Sequence, residues 1–218
     1  MALSLALWLL AASLLPACGN KPRSPDWEVN AQSALERYVQ AYMKGGGARA
    51  EAVEFERARR ELESTGQPGL VARAELTRCA VRAASLVFEP CQGFERLRAD
   101  SPAPERAYAD YLAGTVAAAD VVLLPAQHRP AAVGRGGVAA VKAIEDPVAR
   151  LVAAGVLFRR NQGSPELLTL ATETASQQGW RRPLLAWLGV AAQRAEQAGA
   201  LAEAQHLRRR MDLVAGER

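Results

Sequence analysis

Apolar residues recur every three or four positions along most of this chain, which is the period of an α-helix with one buried face. In the first such stretch the apolar face consists of Trp27, Ala31, Leu35, Tyr38 and Tyr42. Glycine and proline separate the stretches, and no segment combines an alternation of period two with β-branched residues. The pattern therefore predicts an all-α protein.

Several helix starts can be predicted from local signals. Serine precedes proline at Ser24, Ser101 and Ser164, where the serine is expected to be the N-cap and the proline the first helical residue. Asp146-Pro147 predicts a further start. The predicted helices run from 24 to 45, from about 48 to 66, from 68 to 88, from 101 to 125, from 138 to 144, from 146 to 161 and from 164 to 179. A further helix ends at Gly199, and the last helix follows it toward the C-terminus. Residues 126–137, which include Pro130 and several glycines, are predicted to be a flexible loop.

Successive helices joined by short turns favour antiparallel helix pairs in one domain, residues 26–216. Two segments resemble half-repeats of the tetratricopeptide family: Trp187-Leu188-Gly189 with 199–204, and Tyr42 with 45–47, Phe55 and Ala58. Either a compact bundle or a short tetratricopeptide-like α-solenoid would satisfy the pattern.

The N-terminal segment has a different character. Residues 2–15 form an uncharged apolar run that is too short to span a bilayer and has the length of a signal-peptide core. Leu15-Pro16-Ala17-Cys18 follows it and resembles the lipobox of bacterial lipoproteins. The resemblance implies that residues 1–17 are a signal peptide, that cleavage occurs between Ala17 and Cys18, and that the Cys18 thiol carries a lipid.

This resemblance also implies an address for the protein. Residues 18–25 would be a tether between the lipid on Cys18 and the helical domain, and two or three acyl chains suffice for stable anchoring. Gly19 follows the cysteine, which by the same resemblance favours the outer membrane, facing the periplasm. The expected location is therefore the cell envelope, with the membrane as the first partner.

Two cysteines remain, Cys79 and Cys91. In an oxidising compartment such thiols tend to pair, and Pro90 provides a helix stop where the chain could turn back. We therefore expect a disulfide, with two buried unpaired thiols as the alternative. No histidine lies near them, so no metal site is predicted.

Little in the sequence points to catalysis. The net charge of +4 falls short of a nucleic-acid-binding stripe, no Gly-x-Ser-x-Gly motif occurs, and residues 134–137 lack the Lys-Ser/Thr ending of a P-loop. His128 and His206 are expected at the surface. Asp120 interrupts an apolar run and is either a paired buried carboxylate or a residue at the solvent edge. No catalytic residue and no cofactor is predicted.

The expected function is a non-enzymatic interaction module with an envelope protein as its partner. By analogy with helical arrays, the candidates for partner contacts are Tyr38, Tyr42, Arg78 and Tyr108. One alternative is a peptidoglycan-related enzyme, which would bring Asp120, Glu89 or His128 into one pocket. The other is a binder of anionic ligands, which would bring together the arginines at 159–160, 181–182 and 208–210.

Overall fold

The structure is a computed structural model that describes residues 23–134 and 136–216. Every regular element within these residues is helical, which confirms the all-α class. The predicted signal peptide, the lipidation site at Cys18 and most of the predicted tether lie outside the described residues. The helices are α1 (Asp26–Lys44), α2 (Ala48–Glu63), α3 (Pro68–Ala84), α4 (Gln92–Glu95), α5 (Ala103–Ala113), α6 (Arg129–Ala132), α7 (Gly137–Lys142), α8 (Pro147–Arg159), α9 (Pro165–Gln177), α10 (Arg181–Gln197) and α11 (Leu201–Ala215), with 3₁₀ turns at Arg98–Asp100, Ala118–Leu123 and Ala126–His128.

Two of the predicted helix starts are confirmed in detail. The Asp146 carboxylate accepts a hydrogen bond from the Val148 amide at 3.0 Å, and α8 begins at the proline between them. The Ser164 hydroxyl accepts from the Leu167 amide at 3.3 Å at the start of α9. Each side chain satisfies an amide that the first helical turn leaves without a partner.

The prediction that Ser24 and Ser101 are N-caps is wrong. The residues that precede α1 and α5 are Pro25 and Pro102, and no side chain caps either helix. The Ser101 hydroxyl instead donates a hydrogen bond to the Leu97 carbonyl at 2.7 Å, so this side chain belongs to the turn that precedes α5.

Two predicted helices also end earlier than expected. Helix α3 ends at Ala84 rather than residue 88, because Leu86 adopts a left-handed conformation with φ of +59° and Val87 donates its amide back to the Arg82 carbonyl at 2.9 Å. Helix α5 ends before Gly114, whose φ is +78°, and not at residue 125. A left-handed residue after the last turn is a common way to close a helix.

The helices form a bundle. Neighbours in sequence pack together, as in α1 with α2 and α10 with α11, but α3 also packs on α8 and α1 on α10. In a solenoid each repeat contacts only its neighbours, so these long-range contacts are those of a closed bundle. One cluster of buried apolar side chains extends from Ala31 in α1 to Leu207 in α11.

The disulfide between Cys79 and Cys91 is confirmed. Cys79 lies in α3 and Cys91 immediately precedes α4, with their Cα atoms 5.9 Å apart, inside the range that a disulfide requires. The bond links the end of the segment that follows α3 back to that helix, so it holds the chain reversal expected at Pro90.

No helix among the described residues has both the length and the apolar content needed to cross a membrane.

Candidate ligand-binding groove

Two adjoining cavities lie on one side of the bundle. One, of about 790 Å³, runs along α1 and α3, and the other, of about 670 Å³, lies between α3, α5 and the start of α8. Val39, Arg73, Thr77 and Val148 line both cavities. Because they share these walls, the two cavities form one continuous depression, which we call the groove.

The end of the groove along α1 is mainly apolar. Its wall includes Trp27 and Leu35 from α1, Leu62 from α2 and Leu70 from α3. Trp27, Leu35 and Leu70 are only partly buried, although each packs against the core. Trp27 lies in the first turn of α1, so this end of the groove begins where the predicted tether reaches the domain.

The other end of the groove is more polar, and its lining includes Glu105. This α5 residue is only 5% exposed, and its Oε1 accepts a hydrogen bond from Nε of Arg73 at 2.5 Å. Its Oε2 is buried, and within the described residues no hydrogen-bond donor reaches it. A buried carboxylate oxygen without a donor is costly, which makes Glu105 the most unusual group of the groove.

Sequence reasoning missed Glu105 as a site residue. An acidic residue in the first turn of a helix interacts favourably with the helix dipole. This common role is enough to explain Glu105 from the sequence alone. Its burial depends on how α5 packs against α3, which is not visible in the local pattern.

An aromatic cluster lies beside Glu105. The His128 ring is 5.1 Å from the Tyr111 ring and 5.8 Å from the Tyr108 ring, measured between centroids. Nδ1 of His128 lies 3.3 Å from the Tyr111 hydroxyl. Burial raises the pKa of the Tyr108 and Tyr111 hydroxyls, so both stay protonated at neutral pH.

The prediction that His128 lies at the surface is wrong, because it is only 2% exposed. The expected loop at 126–137 begins with a 3₁₀ turn and the short helix α6, and the turn packs against α8. Burial lowers the pKa of His128 to about 4, and the negative charge of Asp146 opposes this shift only in part. The imidazole is therefore neutral at neutral pH.

The four candidates for partner contacts fall in different places. Tyr38 and Tyr42 are 3% and 5% exposed, so burial leaves these two rings little surface for a partner. Their helix face packs inward: the Tyr38 ring contacts Phe55, and the Arg182 guanidinium covers Tyr42 at 4.3 Å.

The other two candidates are Arg78 and Tyr108. Arg78 is engaged within the fold, since it pairs with Glu75 at 2.6 Å and covers the Phe55 ring at 4.5 Å. Only Tyr108 lines the groove.

The acidic residues and histidine of the enzyme alternative are not brought together. Of Asp120, Glu89 and His128, only His128 lines the groove. Glu89 pairs with Arg82 at 2.8 Å, and Asp120 is partly exposed in the 3₁₀ turn at Ala118–Leu123.

The aliphatic hydroxyl of the groove is not activated as a nucleophile. Thr77 is the one aliphatic hydroxyl among the described residues that line it, and it donates to the Arg73 carbonyl at 2.9 Å in its own helix. Nucleophilic catalysis requires a base beside the nucleophile, which Thr77 does not have.

In the arginine pairs, the guanidinium groups mainly donate to backbone carbonyls near the C-terminal ends of helices. Arg160 donates to the Ala132 carbonyl at 3.1 Å and Arg181 to the Val214 carbonyl at 3.0 Å. Arg182 binds the Tyr42 carbonyl at 2.8 Å, so these groups already have acceptors within the chain. No group of three potential metal ligands is found among the described residues.

Comparison with known proteins finds no family model that matches the chain and no curated protein or solved structure similar to it. The class that the fold and the groove define is therefore an all-α bundle with an open, largely apolar groove.

Proposed function

We propose that this chain is a bacterial envelope lipoprotein whose helical bundle is a non-enzymatic binding module. The lipid on Cys18 anchors it to the membrane, in the outer membrane on the periplasmic side. The groove binds an apolar segment of an envelope protein, in the manner of helix-in-groove recognition. The lipobox residues support the anchor, and the groove supports the binding role.

The observation that carries the binding role is the apolar wall of the groove. Partly buried side chains such as Trp27, Leu35 and Leu70 leave apolar surface in contact with water. Covering such surface stabilises a complex by about 25 cal/mol for each Å² removed from water. A concave apolar surface with a few polar groups at one end is the usual form of a binding site.

The position of the groove also fits a partner at the membrane surface. Trp27 follows Cys18 by nine residues, so even a fully extended tether keeps the lipid within about 30 Å of the groove. A bound segment would therefore lie close to the membrane surface.

Site-specific photocrosslinking in intact cells tests this proposal. A photoreactive amino acid replaces Leu35, which lines the groove, and in a matched variant it replaces Val29, which is 51% exposed on the same helix outside the groove. We expect a discrete protein adduct from position 35 but not from position 29, and its loss when Cys18→Ala removes the anchor. Equal adducts from both positions would contradict binding in the groove.

A further inference from the structure

Glu105 and Glu75 show that the fold treats its two buried carboxylates differently. Glu75 is fully buried and forms ion pairs with Arg59 at 2.5 Å and with Arg78 at 2.6 Å, although its Oε2, which faces Arg78, accepts no hydrogen bond within the described residues. Glu105 has one such partner, Arg73, and its Oε2 has no donor within the described residues although the residue lines a cavity. A ligand in the groove that supplied a hydrogen-bond donor would satisfy Oε2 of Glu105.

A second carboxylate lies at the same end of the groove. Asp146 is exposed, and both amide hydrogen bonds that cap α8 go to its Oδ1. Asp146 and Glu105 line the same cavity, so its wall carries two acidic groups. Acceptors of this kind bind a charged N–H donor more strongly than a neutral one.

The two arginines that line this end each make one bond within the fold. Arg73 is bonded to Oε1 of Glu105, and Arg129 donates to the Leu124 carbonyl at 2.8 Å. Tyr108 adds an aromatic ring, whose face attracts cations.

The surroundings of these polar groups are apolar. Leu76 and Leu123 line the cavity together with Val152. An aliphatic chain can lie along such a wall while its charged end reaches the carboxylates, as lysine side chains do on protein surfaces.

We propose that the polar end of the groove binds the aliphatic primary ammonium of a lysine side chain on the partner protein, with Glu105 Oε2 as its buried acceptor. This inference rests on the proposed function for the identity of the partner. The ligand chemistry itself follows from the unpartnered oxygen, the second carboxylate and the apolar wall.

The test compares three probes that share one alkyl chain: octylammonium, octanol and octanoate. Binding to the full chain, made by cell-free synthesis without membranes under oxidising conditions, is measured by calorimetry and by NMR. We expect octylammonium to bind about tenfold more tightly than octanol, and octanoate to bind most weakly. Nuclear Overhauser contacts should place the methylene next to nitrogen beside the Glu105 side chain.

Glu105→Gln keeps the shape of the side chain and removes its charge. This variant should lose the tenfold preference for octylammonium and still bind octanol within about twofold of wild type. Glu166→Gln removes the same charge at an exposed position in α9 outside the groove, and should leave all three affinities unchanged.

The outcomes separate the two proposals. Equal binding of octylammonium and octanol, unaffected by Glu105→Gln, would overturn the ammonium site and leave the apolar groove standing. Failure of both probes to bind would contradict the groove itself. Should Glu105→Gln not fold, the order of the three affinities in wild type decides the question.

Discussion

At the scale of single residues, burial sets the properties of the polar groups in this bundle. Glu75 occupies a sealed site, because a Cβ added at Gly93 would lie only 2.0 Å from its Oε2. Glu105 and His128 are buried as deeply but border the groove. The difference between a structural and a ligand-binding carboxylate is therefore the space beside it.

His128 should make stability depend on pH. In the unfolded chain it takes up a proton near pH 6.5, whereas burial lowers the pKa in the fold to about 4. As pH falls below 6.5 the unfolded state binds more protons, so the free energy of unfolding decreases. Between pH 6.5 and 5 the loss should be about 1.6 kcal/mol, measurable by urea denaturation.

Two variants isolate this effect from the titration of carboxylates. His128→Gln cannot take up the proton, so its unfolding free energy should fall less steeply than that of wild type over this range. His206→Gln changes an exposed histidine and should follow wild type. Identical slopes for wild type and His128→Gln would show that the ring is accessible to protons in the fold.

The sequence could not place His128. Pro130 and the glycines from 134 onwards suggested a loop, and a lone histidine in a loop is normally solvated. Its burial comes from the packing of the turn at Ala126–His128 against α8, a contact between distant elements that no local pattern encodes.

At the scale of elements, a helix start or end was predictable where a residue type marks it. Asp146 and Ser164 cap their helices with side chains, which is a signal written in the residue type. Leu86 ends α3 in a left-handed conformation that leucine rarely adopts, so its sequence gives no such signal. Gly114 has the expected residue type, but the apolar run after it masked the helix end.

The crossing of α3 and α8 depends on one glycine. A Cβ added at Gly155 would lie 2.1 Å from the carbonyl oxygen of Ala83, which belongs to the backbone and cannot move independently. Gly155→Ala should therefore force the two helices apart and lower the free energy of unfolding by about 2 kcal/mol or more, measured by chemical denaturation.

Gly189→Ala provides the matched control. This glycine lies within α10, and its added Cβ would meet only the end of the Met211 side chain at 3.7 Å. Its stability should equal or exceed that of wild type by up to about 1 kcal/mol, because alanine favours helix. Equal effects of the two substitutions would contradict a close α3–α8 contact.

At the scale of the whole molecule, the class was predictable and the arrangement was not. Helical periodicity and the lack of alternating segments suffice for an all-α protein, but they left bundle and solenoid open. The contacts of α3 with α8 and of α1 with α10 show that the helices form a bundle. The contact between α1 and α10 also places Arg182 over Tyr42 on an inner face, which is why this tyrosine is a poor candidate for partner contacts.

The groove likewise belongs to the assembled molecule. Its walls come from α1, α2, α3, α5, α6, α8 and two 3₁₀ turns, so no single segment of the sequence predicts it. Its use at a membrane depends on the anchor at Cys18, and that modification is the central claim of this account.

Intact-mass spectrometry of the protein extracted from membranes of its native host tests this claim most directly. The account predicts a chain that begins at Cys18, lacks residues 1–17 and carries the added mass of a diacylglyceryl group, with or without a further acyl group. Cys18→Ala should abolish both cleavage and the added mass. A wild-type protein that retains residues 1–17 and carries no acyl mass would contradict it.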